Sequence, residues 1–236
     1  KNEISAAQLT EVEDACIRNL VEKQLEAGLK SVTDGEFRRS YWHLDFMWGF
    51  DGIEHNVMDQ GYIFHGEETR PDSARVCGKI KFTHHPFIDH FKFLKEVVGD
   101  RALVKQIIPA PSQIFAELVR ADNEEHLNRI YPNREELYTD LTQAYHDFIL
   151  ALYNEGGRHL QLDDCTWGML CDSNFAKYFA DAAGGLEQLQ KLYLKLNNEA
   201  SADLPADLVV TTHVCRGNYH STWASSGGYE PVSKTL

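Results

Sequence analysis

Two residues near the end of the chain have the types and spacing to hold a metal. His213 and Cys215 are one residue apart and close an apolar, β-branched run from Leu208 to Val214. In a strand, residues i and i+2 face the same side, so an imidazole and a thiolate can reach one ion. Zinc accepts such nitrogen and sulfur ligands at about 2.0–2.3 Å, and a catalytic zinc keeps one position open. Taken alone, the spacing favours a buried cysteine beside a hydrogen-bonded core histidine. Cys77, Cys165 and Cys171 are internal candidates for further ligands, although Cys165 and Cys171 belong to a different strand end and the loop after it.

Two acidic clusters invite a second kind of chemistry. In Asp34-Gly35-Glu36 the glycine permits a tight strand exit, and Glu36 can grip a substrate ammonium by a charge-assisted hydrogen bond. An ordinary loop ion pair with Arg38 or Arg39 is the alternative. Asp163-Asp164 ends the run His-Leu-Gln-Leu. Adjacent strand residues point to opposite faces, so one carboxylate looks into the site and the other outward. A charge there needs a partner, because burying it unpaired is expensive; an amino-acid ammonium or a neighbouring arginine serves. The aromatic run Tyr41-Trp42, with Phe46, Trp48 and Phe50, reads as loop packing.

These residues must be positioned by alternating helices and strands. Ser5 with Gln8 forms a capping box, followed by the stripe Leu9, Val12, Cys16, Leu20 and Leu25 at helical spacing. Gly28 ends that helix, and strands are expected at Ser31-Val32-Thr33, Arg75 to Phe82, Leu103 to Ile108, His159 to Leu162, and Leu208 to Val214. Helices fall near Phe87 to Val98, from Asn133 to Gly156-Gly157 with Leu137, Leu141, Phe148 and Leu152 on one stripe, and twice between Ser173 and Ala200. Short apolar strands alternating with helices indicate a parallel sheet covered by helices. No Gly-x-Gly-x-x-Gly turn follows a strand, so a dinucleotide-binding sheet has no support. Chemically able residues sit at the C-terminal ends of several strands, as in a (β/α)8 TIM-type barrel. Five strands cannot close such a barrel, so the expectation is a single barrel domain over residues 1–236 that lacks elements at both ends. Residues 41–69 would be a long active-site loop.

Composition narrows the partners. The chain has 236 residues, 23 Lys+Arg against 36 Asp+Glu, and a formal net charge of -13. No basic patch offsets that charge, which argues against nucleic acid. Five widely spaced cysteines suit free thiols or metal ligands in a reducing compartment. No apolar run approaches the roughly 20 residues of a membrane helix, and Lys-Asn-Glu-Ile lacks a signal-peptide pattern. The cytoplasm is the expected location.

Four segments resemble the C-terminal catalytic barrel of cobalamin-independent methionine synthase, and more closely its short single-barrel relatives: Thr33-Asp-Gly-Glu-Phe-Arg-Arg39, Ala102 to Ser112, Leu160-Gln-Leu-Asp-Asp164, and Thr211-Thr-His-Val-Cys215. They occur in the family's order and span nearly the whole chain. The resemblance implies that His213 and Cys215 are two of four zinc ligands, with a Glu and a second Cys, and a general-acid His, beyond Leu236. It implies that Glu36 and Asp163 hold the amino group of homocysteine. The expected activity is transfer of a methyl group from a methyltetrahydrofolate-type donor to the homocysteine thiol, giving methionine.

The donor half matches less well. The family's folate-contacting Trp falls at about Glu117, its folate-contacting Glu at Met169, and Arg70 is a loose match to a folate-contacting Arg. A zinc-dependent thiol alkyltransferase using a coenzyme M-like or other carrier, and a non-catalytic amino-acid-binding barrel, remain the rivals. A metal-free decarboxylase resembling the uroporphyrinogen enzymes would need an Arg-rich mouth, which the net charge argues against.

Overall fold

The computed structural model describes residues 4–177 and 184–236. Helix α1, Ala6–Glu26, starts at the expected capping box: the Gln8 amide N–H donates to Ser5 Oγ at 3.2 Å, and the Ser5 amide N–H donates to Gln8 Oε1 at 2.8 Å. Its stripe is corrected. Leu9 and Val12 are 48% and 56% exposed, whereas Ile17 and Val21 are buried. The helix is covered only in its second half, where it meets α3 and β1. The chain then enters β1, Ser31–Val32.

Four parallel strands form the sheet that carries the site: β1, then β6 (Leu103–Pro109), β7 (His159–Asp163) and β8 (Val209–His213), adjacent in that order. The chain returns between β6 and β7 through α4 (Pro111–Leu118), α5 (Glu124–Ile130) and α6 (Arg134–Asn154). Between β7 and β8 it passes α7 (Cys165–Met169) and α8 (Leu186–Ala200). Asn133 caps α6 by accepting from the Glu135 amide, and Leu137, Leu141, Phe148 and Leu152 are buried as expected. The first of the two helices expected between Ser173 and Ala200 lies partly outside the described residues; α8 is the second. Among the described residues no helix is long and apolar enough to cross a membrane.

The strand expected at Arg75 to Phe82 exists but does not join this sheet. It is β5 (Asp72–Lys81), paired antiparallel with β2 (Asp51–Val57). The reason is legible in its alternation. Ala74, Val76 and Ile80 are buried while Cys77 and Lys81 are exposed, the pattern of a strand with one covered face. The interval 41–69 is therefore not irregular. It contains α2 (Leu44–Met47), β2 and a small hairpin of β3 (Ile63–Phe64) and β4 (Glu67–Glu68). Together with β5 it forms an excursion between β1 and α3, Pro86–Val98. The observed architecture is a mixed α/β fold around a four-stranded parallel sheet; a closed barrel is not seen among the described residues.

The aromatic run seats the excursion on the core. Phe46 and Phe50 are buried against His85, Tyr145 and one another. His85 caps α3 by accepting from the Phe87 amide at Nδ1, while Nε2 lies 2.9 Å from the Phe46 carbonyl oxygen and donates to it. Burial without a negative partner pushes His85 down to about 4.

Candidate functional site

Parallel register brings three strand ends side by side. Pro109 of β6 pairs with Asp163 of β7, and Asp163 pairs with His213 of β8. The ladder runs one step further, since the Ala110 amide donates to the Asp163 carbonyl and the Asp164 amide to the His213 carbonyl, at 2.9 and 2.8 Å. All four strands point the same way, so the turn leaving β1 opens at this same edge.

That turn holds Glu36. Gln24 of α1 clamps Thr33 from both sides: its Oε1 accepts from the Thr33 amide at 3.0 Å, and its Nε2 donates to the Thr33 carbonyl at 2.8 Å. Asp34 Oδ1 then accepts from the Glu36 amide at 2.9 Å. Glu36 has φ 60°, a left-handed conformation that is uncommon for a residue with a side chain. Its carboxylate meets Arg39 Nη1 at 3.0 Å. The Arg39 side chain is 4% exposed, donates to the carbonyls of Trp42 and Ile107 at 3.2 and 2.6 Å, and lies over the Phe87 ring. Burial nevertheless raises the Glu36 pKa, with Arg39 opposing and the charges of Asp163 and Asp34 adding to the rise. The ion-pair alternative thus applies with Arg39, while Arg38 pairs with Glu13 and Asp14 of α1.

The adjacent aspartates divide as the pleat requires. Asp163 is half-buried and accepts from Gln161 Nε2 at 2.8 Å. Asp164 is fully buried and accepts from Ser112 Oγ at 2.7 Å, Asn197 Nδ2 at 2.8 Å, and both the amide and hydroxyl of Thr166. Burial raises its pKa, and those hydrogen bonds oppose the rise. Its partners come from α4, α7 and α8, so Asp164 ties three helices to the end of β7.

His213 is exposed and Cys215 half-buried. The strand before them is not the buried one expected: β8 lies at the sheet edge, with Val209 55% exposed. The Gly217 amide donates to Cys215 Sγ at 3.3 Å. Cys165, the first residue of α7, lies near enough to Cys215 to feel its charge. Burial pushes the Cys165 thiol up, and the neighbouring Cys215, Asp164 and Asp163 push the same way. Imidazole and thiolate suit the zinc that the resemblance implies. Among the described residues no group of three His, Cys, Asp or Glu side chains converges to hold an ion.

The donor-side positions are occupied differently. Glu117 is fully buried in a network with Arg120 (3.0 Å), Ser73 and Tyr62. It fastens the excursion to α4 and is turned away from solvent. Met169 is half-buried at the end of α7. Arg70 has a side chain 64% exposed, lies over the Tyr41 ring and sits 3.9 Å from Asp72. Gln24, Ser112 and Asn197 carry no local signal in the sequence, since each acts on a residue whose position only the tertiary fold decides, whereas Thr166 bonds Asp164 two residues away as the local N-cap of α7.

A mixed α/β fold with chemistry gathered at the C-terminal edge of a parallel sheet defines the class, and comparison with known proteins narrows it. No family model matches the chain. It is 42% identical over 234 residues to the uncharacterised protein YxjH of Bacillus subtilis strain 168, and 39% identical over 235 residues to YxjG of the same organism. Each alignment takes in 99% of this chain and 60% of the relative. A candidate vitamin-B12-independent methionine synthase from Listeria monocytogenes is 42% identical, with TM-score 0.72 over 92% of this chain and 58% of that one. A B12-independent methionine synthase from Shewanella, solved with selenomethionine, shares the fold at 16% identity and TM-score 0.65, covering 91% of this chain and 55% of its own. These structural neighbours are cobalamin-independent methionine synthase-like proteins. It spans about three fifths of the length of the curated relatives it matches.

Proposed function

We propose that the chain carries the thiol-binding half of a zinc-dependent methyltransferase, which moves a methyl group from a methyltetrahydrofolate-type donor to homocysteine and yields methionine. On this reading the parallel strands are part of a (β/α)8 barrel, and the excursion between β1 and α3 lies over its mouth. One observation carries the reading. Asp163 and His213 are register partners at the strand ends, and Glu36 lies near enough to Asp163 to feel its charge. A carboxylate whose ionisation is disfavoured even beside Arg39 has room for a second cation. An amino-acid ammonium supplies one, and its binding lowers the Glu36 pKa. Glu36 and Asp163 then fix the amino end, which points the side-chain thiol along the edge toward β8. His213 and Cys215 hold the metal. A bound zinc supplies a Lewis acid that deprotonates a thiol whose free pKa is about 8.5 or above. Holding the reacting sulfur in place removes much of the entropic barrier.

Metal analysis and calorimetry test this. The intact protein, carrying the residues that follow Leu236 and reduced and folded, is expected to hold stoichiometric zinc that Cys215→Ser loses; full retention in that variant, or no stoichiometric metal in the parent, overturns the zinc assignment. Homocysteine is expected to bind about tenfold more weakly to Glu36→Gln, on the order of one charge-assisted hydrogen bond. Unchanged affinity removes Glu36 from the site. With homocysteine held constant, turnover with a coenzyme M-type donor but not with methyl-folate reassigns the donor.

A further inference from the structure

The close approach of the segments carrying Cys165 and Cys215 has no place in the methyl transfer described above. The two residues are 50 apart in sequence, yet each lies two positions past the Asp163–His213 register pair. Neighbouring strands run about 4.7–4.9 Å apart, within the span of about 4.4–6.8 Å that a disulfide bridges between Cα atoms. The backbones around them are held close. The Asp164 amide donates to the His213 carbonyl, Ser225 Oγ donates to the Gly168 carbonyl at 3.0 Å, and a Cβ on Gly168 would lie 2.0 Å from the Cys215 carbonyl oxygen. The start of α7 and the segment after β8 are therefore packed backbone to backbone. All five cysteines are free.

We propose that Cys165 and Cys215 form a reversible disulfide, an oxidation site that withdraws Cys215 from metal binding. The oxidant is a hydroperoxide. Cys215, whose sulfur accepts from the Gly217 amide at 3.3 Å, is oxidised first: R–SH + H2O2 gives R–SOH + H2O. The Cys165 sulfur then attacks that sulfur; the S–S bond forms, the S–O bond breaks, and the hydroxyl leaves as a second water with the Cys165 proton. Two thiols are oxidised by two electrons in all and one peroxide is reduced. A dithiol reductant reverses the step. Formation of the disulfide does not depend on the zinc reading; its effect on metal content rests on that reading.

The test is non-reducing peptide mapping of the whole chain, first stripped of metal with a chelator, before and after hydrogen peroxide. The expected product is one linked peptide pair containing Cys165 and Cys215, lighter by two hydrogens and released by dithiothreitol. In Cys165→Ser, Cys215 is expected to proceed to sulfinic acid instead. Overoxidation of Cys215 in the parent while Cys165 stays a thiol overturns the proposal, as does pairing of Cys215 with any other cysteine. A second arm measures zinc in protein reconstituted after reduction. If the disulfide forms but the reduced chain binds no zinc, the oxidation site stands and the metal reading fails. If zinc binds and no disulfide forms under peroxide, the reverse holds.

Discussion

Arg39 is the residue on which the geometry of Glu36 depends, and a double-mutant cycle measures that dependence. Replacing Arg39 by Met keeps most of the stem that lies over Phe87 but removes the charge, the ion pair to Glu36 and two hydrogen bonds to the carbonyls of Trp42 and Ile107. Breaking a fully buried pair costs about 3–5 kcal/mol. The Glu36 side chain is 28% exposed and water partly compensates it, so a loss of about 2–4 kcal/mol is expected. Glu36→Gln alone should be close to neutral at pH 7, because burial already disfavours the charge it removes. The coupling between the two changes is expected at about 1 kcal/mol, between an exposed and a buried pair. Urea denaturation of the four proteins supplies the numbers. A pH series supplies a second readout. Glu36 binds its proton more tightly in the folded chain, so the stability it contributes is full below the unfolded pKa of 4.5 and is lost as pH rises through the raised folded value. Arg39→Met should extend that loss to higher pH, and Glu36→Gln should abolish it. Additivity of the two changes to within about 0.3 kcal/mol, with identical pH profiles, refutes the coupling.

Two further outcomes follow from the same packing. His85 is held neutral at about 4 against an ordinary 6.5, a difference worth about 3 kcal/mol; because the unfolded chain takes up the proton more readily, stability is full above pH 6.5 and is lost as pH falls toward 4. Denaturation midpoints across that window should depend less on pH in His85→Gln, and an unchanged slope counts against this account. Gly168→Ala would set a Cβ against the Cys215 carbonyl and should destabilise by about 1–3 kcal/mol; a variant as stable as its parent, with unaltered Cys215 thiol reactivity, shows that the two backbones are not tightly packed.

Local signals were read well and edges poorly. The capping box at Ser5, the Asn133 cap and the buried stripe of α6 depend on residues within a few positions of one another, and each is where the sequence put it. The strand expected at Arg75 to Phe82 exists as β5 but pairs antiparallel with β2 rather than joining the parallel sheet, because β2 lies in an interval whose sequence reads as loop. The stripe on α1 was followed into Leu9 and Val12, which nothing covers among the described residues. Asp163 and His213 come together by register, and Glu36 lies near enough to Asp163 to feel its charge; only the family resemblance marks both carboxylates for one substrate amine. Asp164 is legible only as one of two adjacent carboxylates that needs a partner: Ser112 and Asn197, which help to supply it, lie 52 and 33 residues away, and a polar residue waiting for a distant acceptor looks like any other.

The clamp that Gln24 places on Thr33 also limits what can lie beside β1. In a parallel ladder, alternate residues direct both their amide and carbonyl to the same neighbour. The carbonyl of Lys30 accepts from Leu103, so Ser31 and Thr33 direct theirs to the far side. At Thr33 both groups are already taken by a side-chain amide that imitates one residue of a strand. Any strand docking there has Ser31 to bond but must stop short of Thr33. A strand beside β1 can therefore pair with it only as far as Ser31, which keeps the mouth of the turn nearest Glu36 free of backbone.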